Sequence, residues 1–499
     1  MKALLIYPKY PDTFWSFKHA LKFIRKKAAN VPLGLLTVAS MMPQQWDKKL
    51  IDMNVDNLTD KHLRWADYVF ISAMSIQSKS ALCVLNQCKA VGIKVVAGGP
   101  FFTTGYKDVE HLVDHFVLDE AEITFPLFLE DLKKGQPKKL YTANNQWAYL
   151  SKTPIPMWEL ININKYASIG IQYSRGCPFN CEFCNITSLF GRIPRTKSKE
   201  QVIAELEAIY KQGWRAGVFF VDDNFIGNKR KLKQEILPAI TEWMESRRHP
   251  FSLSTEASVD LSDDEELMRM MVKAGFDTVF VGIETPHEES LMECSKFHNK
   301  NRDLIACVKK LHSFGLQVQG GFILGFDSDP ASIFERLIGF IQESGIVTAM
   351  VGLLNAPRGT RLYHRLLEEK RLLTDFTGDN TDLSMNFVPR MNYNDLIDGY
   401  KEVLSTIYSP VYYYERLMVF FKEYQPLQKR VFRFHTYYIG ALFKSMLYLG
   451  IIGKERYYYW KFFFWSLFNR PKLFPTAITL SIYGFHFRKV FEDNMAKVI

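Results

Sequence analysis

Short apolar runs alternate with longer amphipathic ones along most of this chain. In the first 125 residues the runs KALLIY (2–7), KLIDMNV (49–55), DYVFISAM (67–74), IKVVAGGP (93–100) and HFVLDEAE (115–122) are rich in Val, Ile and Phe. Stretches long enough for crossover helices separate them, which predicts an α/β unit: an open, doubly wound, Rossmann-like parallel sheet with helices on both faces. Sheets of this kind bind ligands beyond the carboxyl ends of their strands. The candidate loops are therefore 8–15, 74–77, 98–105 and 118–125, and Gly98 with Gly99 would let a ligand approach the backbone closely.

Between about 135 and 165 the pattern becomes irregular, with KKGQPKK and SKTPIPMW, and reads as a linker. A second series then begins: SIGIQYSRG, AGVFFVDDNF, FSLSTEAS, TVFVGIET, VQGGFILGF and AMVGLLNA. Charged amphipathic segments such as KSKEQVIAELEAIYKQG lie between them. Six strands with a helix after each predict a partial (β/α)6 parallel barrel, whose chemistry gathers where the strands end. Beyond 385 the pattern turns mainly helical. The expected division is 1–140, a linker over 141–165, the barrel over 166–384 and a helical region over 385–499.

Composition narrows the class. At 499 residues the chain exceeds one hydrophobic core, and 47% hydrophobic with 23% charged residues describes a globular protein. The amino terminus turns polar after about six apolar residues, too few for a signal-peptide core, so the start reads as cytosolic. A reducing compartment favours free thiols, and clustered cysteines there are ligands or catalysts more often than disulfides. Cys83, Cys88, Cys294 and Cys307 stand singly in helix-like sequence and are expected to be buried small hydrophobes.

The other three, Cys177, Cys181 and Cys184, follow the spacing C-x3-C-x2-C on a loop after the first barrel strand. Thiolates so spaced suit iron–sulfur clusters or zinc. Structural zinc normally takes four protein ligands, and no histidine occurs between His115 and His249, so zinc ranks well below a cluster. A [4Fe-4S] cluster on three cysteines keeps one iron free for an exogenous molecule. Gly176 and Pro178 would shape the turn, and Phe183 would shield the cluster from water.

With that motif at the mouth of a barrel, the sequence resembles the radical S-adenosylmethionine enzymes. The resemblance implies that S-adenosylmethionine binds the open iron and is split on reduction to a 5′-deoxyadenosyl radical that takes hydrogen from an unactivated carbon. It further implies that Glu256 and Glu284, at strand ends, hold polar groups of that molecule, and that GGFILGF, with Gly320 and Gly321, lies near its adenine. Asp222, Asp223 and Asn224 also stand at a strand end. The plain alternative for such acids is to cap the following helices.

An open α/β domain ahead of such a barrel is similar to the cobalamin-binding subclass. VPLGLLTVAS, GGP, RGCPFNCEFC, VDDNFIGNKRKLK and GFDSD occur in family order over nearly the whole chain, and the likeness looks strongest to the branch that includes the hopanoid C-2 methylases. It implies cobalamin between the two domains and methyl transfer to a substrate carbon. There are departures. The D-x-H-x-x-G signature is missing from 1–140, LDEAE stands where relatives show a glycine-containing turn, and Arg358 replaces a proline. A degenerate front sheet kept for structure or substrate entry is the alternative.

The net charge is +10, and residues 401–499 carry 15 Lys and Arg against 6 Asp and Glu, so most of the excess sits at the end. There YYYWKFFFWSLF (457–468) combines aromatics with Lys, a composition suited to the bilayer interface and anionic headgroups. A span over 437–453 is short by the usual requirement. No RNA-binding signature is present, and nucleic acid is not expected. The expectation is a cytoplasmic enzyme peripheral at the inner face of the membrane, served by an electron donor such as flavodoxin or ferredoxin. Its reaction would be cobalamin-dependent methylation of a small hydrophobic, lipid or polyisoprenoid, substrate. A radical cyclase or rearrangement enzyme with the same cofactors, a tRNA methylthiotransferase and a non-catalytic scaffold are the other readings.

Overall fold

The first six strands are β1 (Lys2–Tyr7), β2 (Asp47–Asp52), β3 (Tyr68–Ser72), β4 (Lys94–Gly98), β5 (His115–Val117) and β6 (Leu140–Tyr141). They form one parallel sheet in the order β2-β1-β3-β4-β5-β6. The coordinates are a computed structural model that describes residues 1–379, 381–426 and 436–495, with side chains from 438 onward in the last segment. In β1, Leu4 and Ile6 enter the core on one face while Ala3 and Leu5 enter that on the other. That double burial is why the strand reads as an unbroken apolar run. Strand order reverses between β1 and β3, which opens a crevice at their carboxyl ends.

Two details differ from the sequence reading. A sixth strand, β6, arises where irregular linker was expected; two residues paired to Phe116 and Val117 leave no periodic signal. Cys83, expected inside, is exposed, whereas Cys88 and Cys294 are buried and Cys307 is half-buried.

The second sheet contains β7 (Ser168–Ile171), β10 (Gly217–Phe220), β11 (Ser252–Glu256), β12 (Phe276–Glu284), β13 (Gln317–Leu324) and β14 (Thr348–Leu353). A small antiparallel hairpin, β8 (Ser174–Arg175) with β9 (Arg195–Thr196), branches off after β7. The six strands are parallel and sequential, and β7 and β14 do not meet. Val218, Phe220, Leu253, Val279, Val281 and Val318 point outward beneath the helices and are fully buried. Phe219, Ser254, Glu256, Phe280 and Gly282 alternate with the outward set and line the concave side. Helices follow the strands, among them Lys199–Lys211, Glu265–Ala274 and Ile333–Ser344. Asp264, whose side chain accepts from the Leu267 N–H at 3.0 Å, caps one of them.

Both edges of this open sheet are covered. Along β7 the backbone N–H groups of Ala167 and Ser168 donate to Ala28 and Ala29, residues of the segment that follows β1. Along β14 the Tyr400 hydroxyl donates to the Val351 carbonyl at 3.1 Å and the Tyr408 hydroxyl to that of Ala349 at 2.6 Å. Both tyrosines belong to the carboxyl-terminal region, whose helices include Tyr393–Ile407, Pro410–Glu423, Thr436–Leu447, Arg456–Asn469 and Phe474–Met495. Among the described residues no helix is long and apolar enough to cross a membrane. The run at 437–453 is divided: the α-helix stops at Leu447 and a π-helical turn, Tyr448–Ile452, follows.

The carboxyl ends of the front strands face the barrel. Trp15 meets Phe280 of β12 edge-on at 5.5 Å, and Phe14 stacks on Phe487 at 4.0 Å. The Tyr166 hydroxyl donates to Asp52 at 2.9 Å. Arg358, the departure from a proline, pairs with Asp108 of the front domain at 2.6 Å and also with Asp375.

Candidate active site

The three-cysteine loop leaves the barrel through the β8–β9 hairpin, and its stem is fixed by backbone donors. Asp222, just past β10, accepts from the N–H groups of Tyr173, at 3.1 Å, and Ser174; Asp223 accepts from that of Gly176 at 2.8 Å. These acids therefore anchor the loop and do not cap a helix. Burial pushes Asp222 up to about 7 and Asp223 up to about 6, against the lowering effect of those donors. Gly176 has φ +93°, and a Cβ there would come within 2.9 to 3.1 Å of the carbonyl oxygens of Ile193, Gly191 and Phe190. Only glycine fits where the loop crosses its own returning segment, Phe190 to Ile193.

The three thiols lie within electrostatic reach of one another, and burial raises all of them, Cys184 to about 12. The Lys296 ammonium works the other way at each. Lys296 is itself buried and paired with Glu284, which ends β12 with φ +65°. Gly282 makes room for that pair, because a Cβ there would collide with both charged groups. Cys294 lies beside the site as core, and its carbonyl accepts from the Glu182 N–H at 2.9 Å.

Glu256, at the end of β11, is half-buried on the concave side and makes no hydrogen bond or ion pair among the described residues. Burial, reinforced by Asp223 and Asp222, raises it to about 8. An acid without a partner facing a hollow is the kind of group that receives a polar ligand. Glu284, by contrast, is already committed to Lys296. Phe183 is partly buried and meets Phe326 edge-on at 6.4 Å, so it walls the cysteine loop toward the end of β13.

The glycines divide. Gly321 is on the concave side under Phe280, whose ring would be 2.7 Å from a Cβ there. Gly320 points to the outer layer, where a Cβ would meet Phe322 at 2.8 Å and Ile346 at 3.1 Å, so packing accounts for it. Gly98 and Gly99 are likewise filled by protein. A Cβ on the first would be 2.6 Å from the Val117 carbonyl, and Gly99, at φ +91°, abuts Ser72 and Ala73. A ligand on that loop would meet backbone groups.

Two clamps escaped the sequence reading. Glu120 and Glu122, from the LDEAE departure, grip the hairpin: Arg175 pairs with Glu122 at 2.7 Å and Glu120 at 3.0 Å, and Arg195 with Glu120 at 2.8 Å. Burial opposes ionisation of Glu122, but Arg175 outweighs it and brings the carboxyl down to about 2. On the other side Arg365 holds Glu182, between two of the cysteines, at 2.9 Å, and also reaches Asp327 at 3.1 Å.

Sequence-family models match in three places: a B12 binding domain over 27–129, the radical SAM superfamily over 171–341 and a domain of unknown function (DUF4070) over 360–498. An uncharacterized methyltransferase of Synechocystis sp. is 41% identical over 491 residues, covering 98% of this chain and 91% of that protein. The hopanoid C-2 methylase of Rhodopseudomonas palustris is 33% identical over 413 residues, covering 82% and 77%. The chain belongs to the cobalamin-dependent radical S-adenosylmethionine methyltransferase family. Among solved structures, the cobalamin-dependent S-adenosylmethionine radical enzyme OxsB has the same fold. It matches with a TM-score of 0.65 at 16% identity, covering 100% of this chain and 80% of that one. The radical S-adenosylmethionine methyltransferase TsrM from Kitasatospora setae matches with a TM-score of 0.57 at 14% identity, covering 74% and 78%.

Radical S-adenosylmethionine enzymes of this class use a [4Fe-4S] cluster, S-adenosylmethionine and cobalamin. The residues present fit all three. Among the described residues no three Cys, His, Asp or Glu converge on one point as for a single ion. A [4Fe-4S] cube takes thiolates on three different irons, and Cys177, Cys181 and Cys184 on one loop would supply them. Among the described residues His62 is held at a helix start by Thr59, His111 lies in the 3-10 segment Tyr106–Leu112, His19 pairs with Asp493 and His486 bonds to the Phe14 carbonyl. With these imidazoles engaged elsewhere, the loops fit a corrin held by backbone groups without a histidine ligand.

Proposed function

We propose that this enzyme methylates an unactivated carbon of a small hydrophobic substrate, a lipid or polyisoprenoid, that it meets at the inner membrane surface. When bound, the cluster and S-adenosylmethionine supply one-electron hydrogen abstraction, and cobalamin supplies the methyl group. The observation that supports the reading is that the front-domain loop after β1 reaches the concave side of the barrel sheet, where Trp15 packs on Phe280 and Phe280 covers Gly321. An aromatic wall of this kind favours apolar ligands. The 33% identity to a hopanoid C-2 methylase supports the same class of substrate.

In this reading Cys177, Cys181 and Cys184 hold the cluster and Phe183 keeps water from it. Glu256 receives polar groups of S-adenosylmethionine, and Lys296 with Glu284 supplies charge beside Cys181. Backbone groups near Gly98 and Gly99 contribute to the cobalamin face. A flavodoxin or ferredoxin delivers the electron.

Lipid extracts from cells with and without the gene should differ by a species heavier by one methylene. With S-adenosylmethionine carrying a labelled methyl group, the reduced enzyme should place the label in that product and release 5′-deoxyadenosine. Turnover that forms 5′-deoxyadenosine and a product without label would overturn methyl transfer.

A further inference from the structure

The aromatic tail is not uniformly inside the molecule. In helix Arg456–Asn469, Tyr459, Phe462 and Phe463 are buried, while Tyr457 is 67% exposed, Phe464 50% and Phe468 76%. Positions 457, 461, 464 and 468 recur at helical spacing and make one outward stripe, with Lys461 inside it. Helix Thr436–Leu447 adds a second stripe of Ile439, Phe443 and Leu447 at intervals of four. The turn between the helices carries Ile451 and Ile452, 62% and 66% exposed. These three pieces pack on one another, with the Trp460 indole N–H donating to the Gly450 carbonyl at 2.9 Å. The π-helical turn and helix Arg456–Asn469 frame an open groove of about 610 Å³ lined by Gly450, Arg456, Tyr457, Trp460, Lys461 and Phe464.

Folding has therefore placed the tail's other aromatics in the core and left a ridge of apolar side chains along both helices and the turn in water. Ridges of that kind mark interaction sites. Its charge selects the partner. The only carboxylate in 436–470 is Glu455, which is buried and paired with Arg488. Lys454, Arg456 and Lys461, all exposed, have no carboxylate partner among the described residues. Within 436–470 the surface thus presents apolar side chains with cations and no exposed carboxylate.

We infer that this ridge is the surface by which the enzyme docks on anionic phospholipid. Ile451, Ile452 and Phe468 enter the acyl boundary, while Lys454, Arg456 and Lys461 reach the phosphates. The inference deepens the membrane-derived substrate proposed above and rests on that reading for its purpose, though not for its test.

Flotation of the full-length protein with vesicles tests it without substrate. Vesicles containing phosphatidylglycerol should carry the enzyme, and phosphatidylcholine vesicles should carry far less. The triple variant K454A/R456A/K461A should lose about a hundredfold in partitioning, at about one charge-to-surface interaction per residue. The variant I451S/I452S/F468S should fail to float at any salt concentration. Both should still load cluster and release 5′-deoxyadenosine on reduction, which separates lost docking from lost chemistry. Equal partitioning of wild type and the cationic triple variant would overturn the inference. So would a stable dimer in solution that I451S/I452S/F468S converts to monomer, since the ridge would then belong to a second copy.

Discussion

Lys296 places a positive charge within reach of Cys177, Cys181 and Cys184 and beside the buried Glu284 carboxylate. Replacing it with Met leaves that carboxylate buried and alone, a loss of about 3–5 kcal/mol. Denaturant titration should register it, and adding Glu284→Gln should restore most of the stability. Cys181→Ala acts on chemistry and not on folding. Reconstituted iron and sulfide content should collapse and 5′-deoxyadenosine release should stop, while the circular dichroism of the fold stays unchanged. The three cysteines stand out by spacing because the ligand role proposed for them needs local sequence alone. Lys296 could not, since its meaning comes from a strand end twelve residues earlier and a loop more than a hundred residues away.

The β8–β9 hairpin and its loop form the element on which the site depends. Gly176→Ala forces a side chain into left-handed backbone, at about 1–2 kcal/mol, and presses its Cβ on three carbonyls. The expected result is a folded enzyme of lower melting temperature whose cluster loading is impaired, checked by iron content against scanning calorimetry. At this scale the long elements were legible. Six barrel strands and five front strands announced themselves by apolar runs; all but the edge strand β2, whose Leu50 and Ile51 are only half-buried, are buried on their helix-covered side. The hairpin and β6 did not, because two-residue strands have no period. Nor did the clamps, since Arg175 finds Glu122 across 53 positions and Arg365 finds Glu182 across 183. Such pairings are products of tertiary structure, and charge type alone does not name the partner. The departures at LDEAE and Arg358 are visible in sequence, and only the contact between domains explains them.

Across the whole molecule, the Glu122–Arg175 clamp joins the front sheet to the cysteine loop and titrates. Its carboxyl falls from the ordinary 4.5 to about 2 in the folded protein, so the unfolded chain binds the proton more readily. The stabilisation, about 3 kcal/mol, is complete above pH 4.5 and fades as pH drops toward 2. Glu122→Gln should therefore lower stability at pH 6 and flatten the acid limb of the unfolding curve, followed by fluorescence from pH 6 to 2.

The covered margins of the barrel sheet bear on the molecule's life in a crowded solution. A row of free carbonyls is a template on which a neighbouring copy can add its own strand, and copies so joined can grow into fibres. The alanines at 28 and 29 guard one margin and two tyrosine hydroxyls the other. The carboxyl-terminal region thus protects solubility in addition to anything it contributes at a surface, and a chain cut short before Tyr393 would be left open to self-stacking.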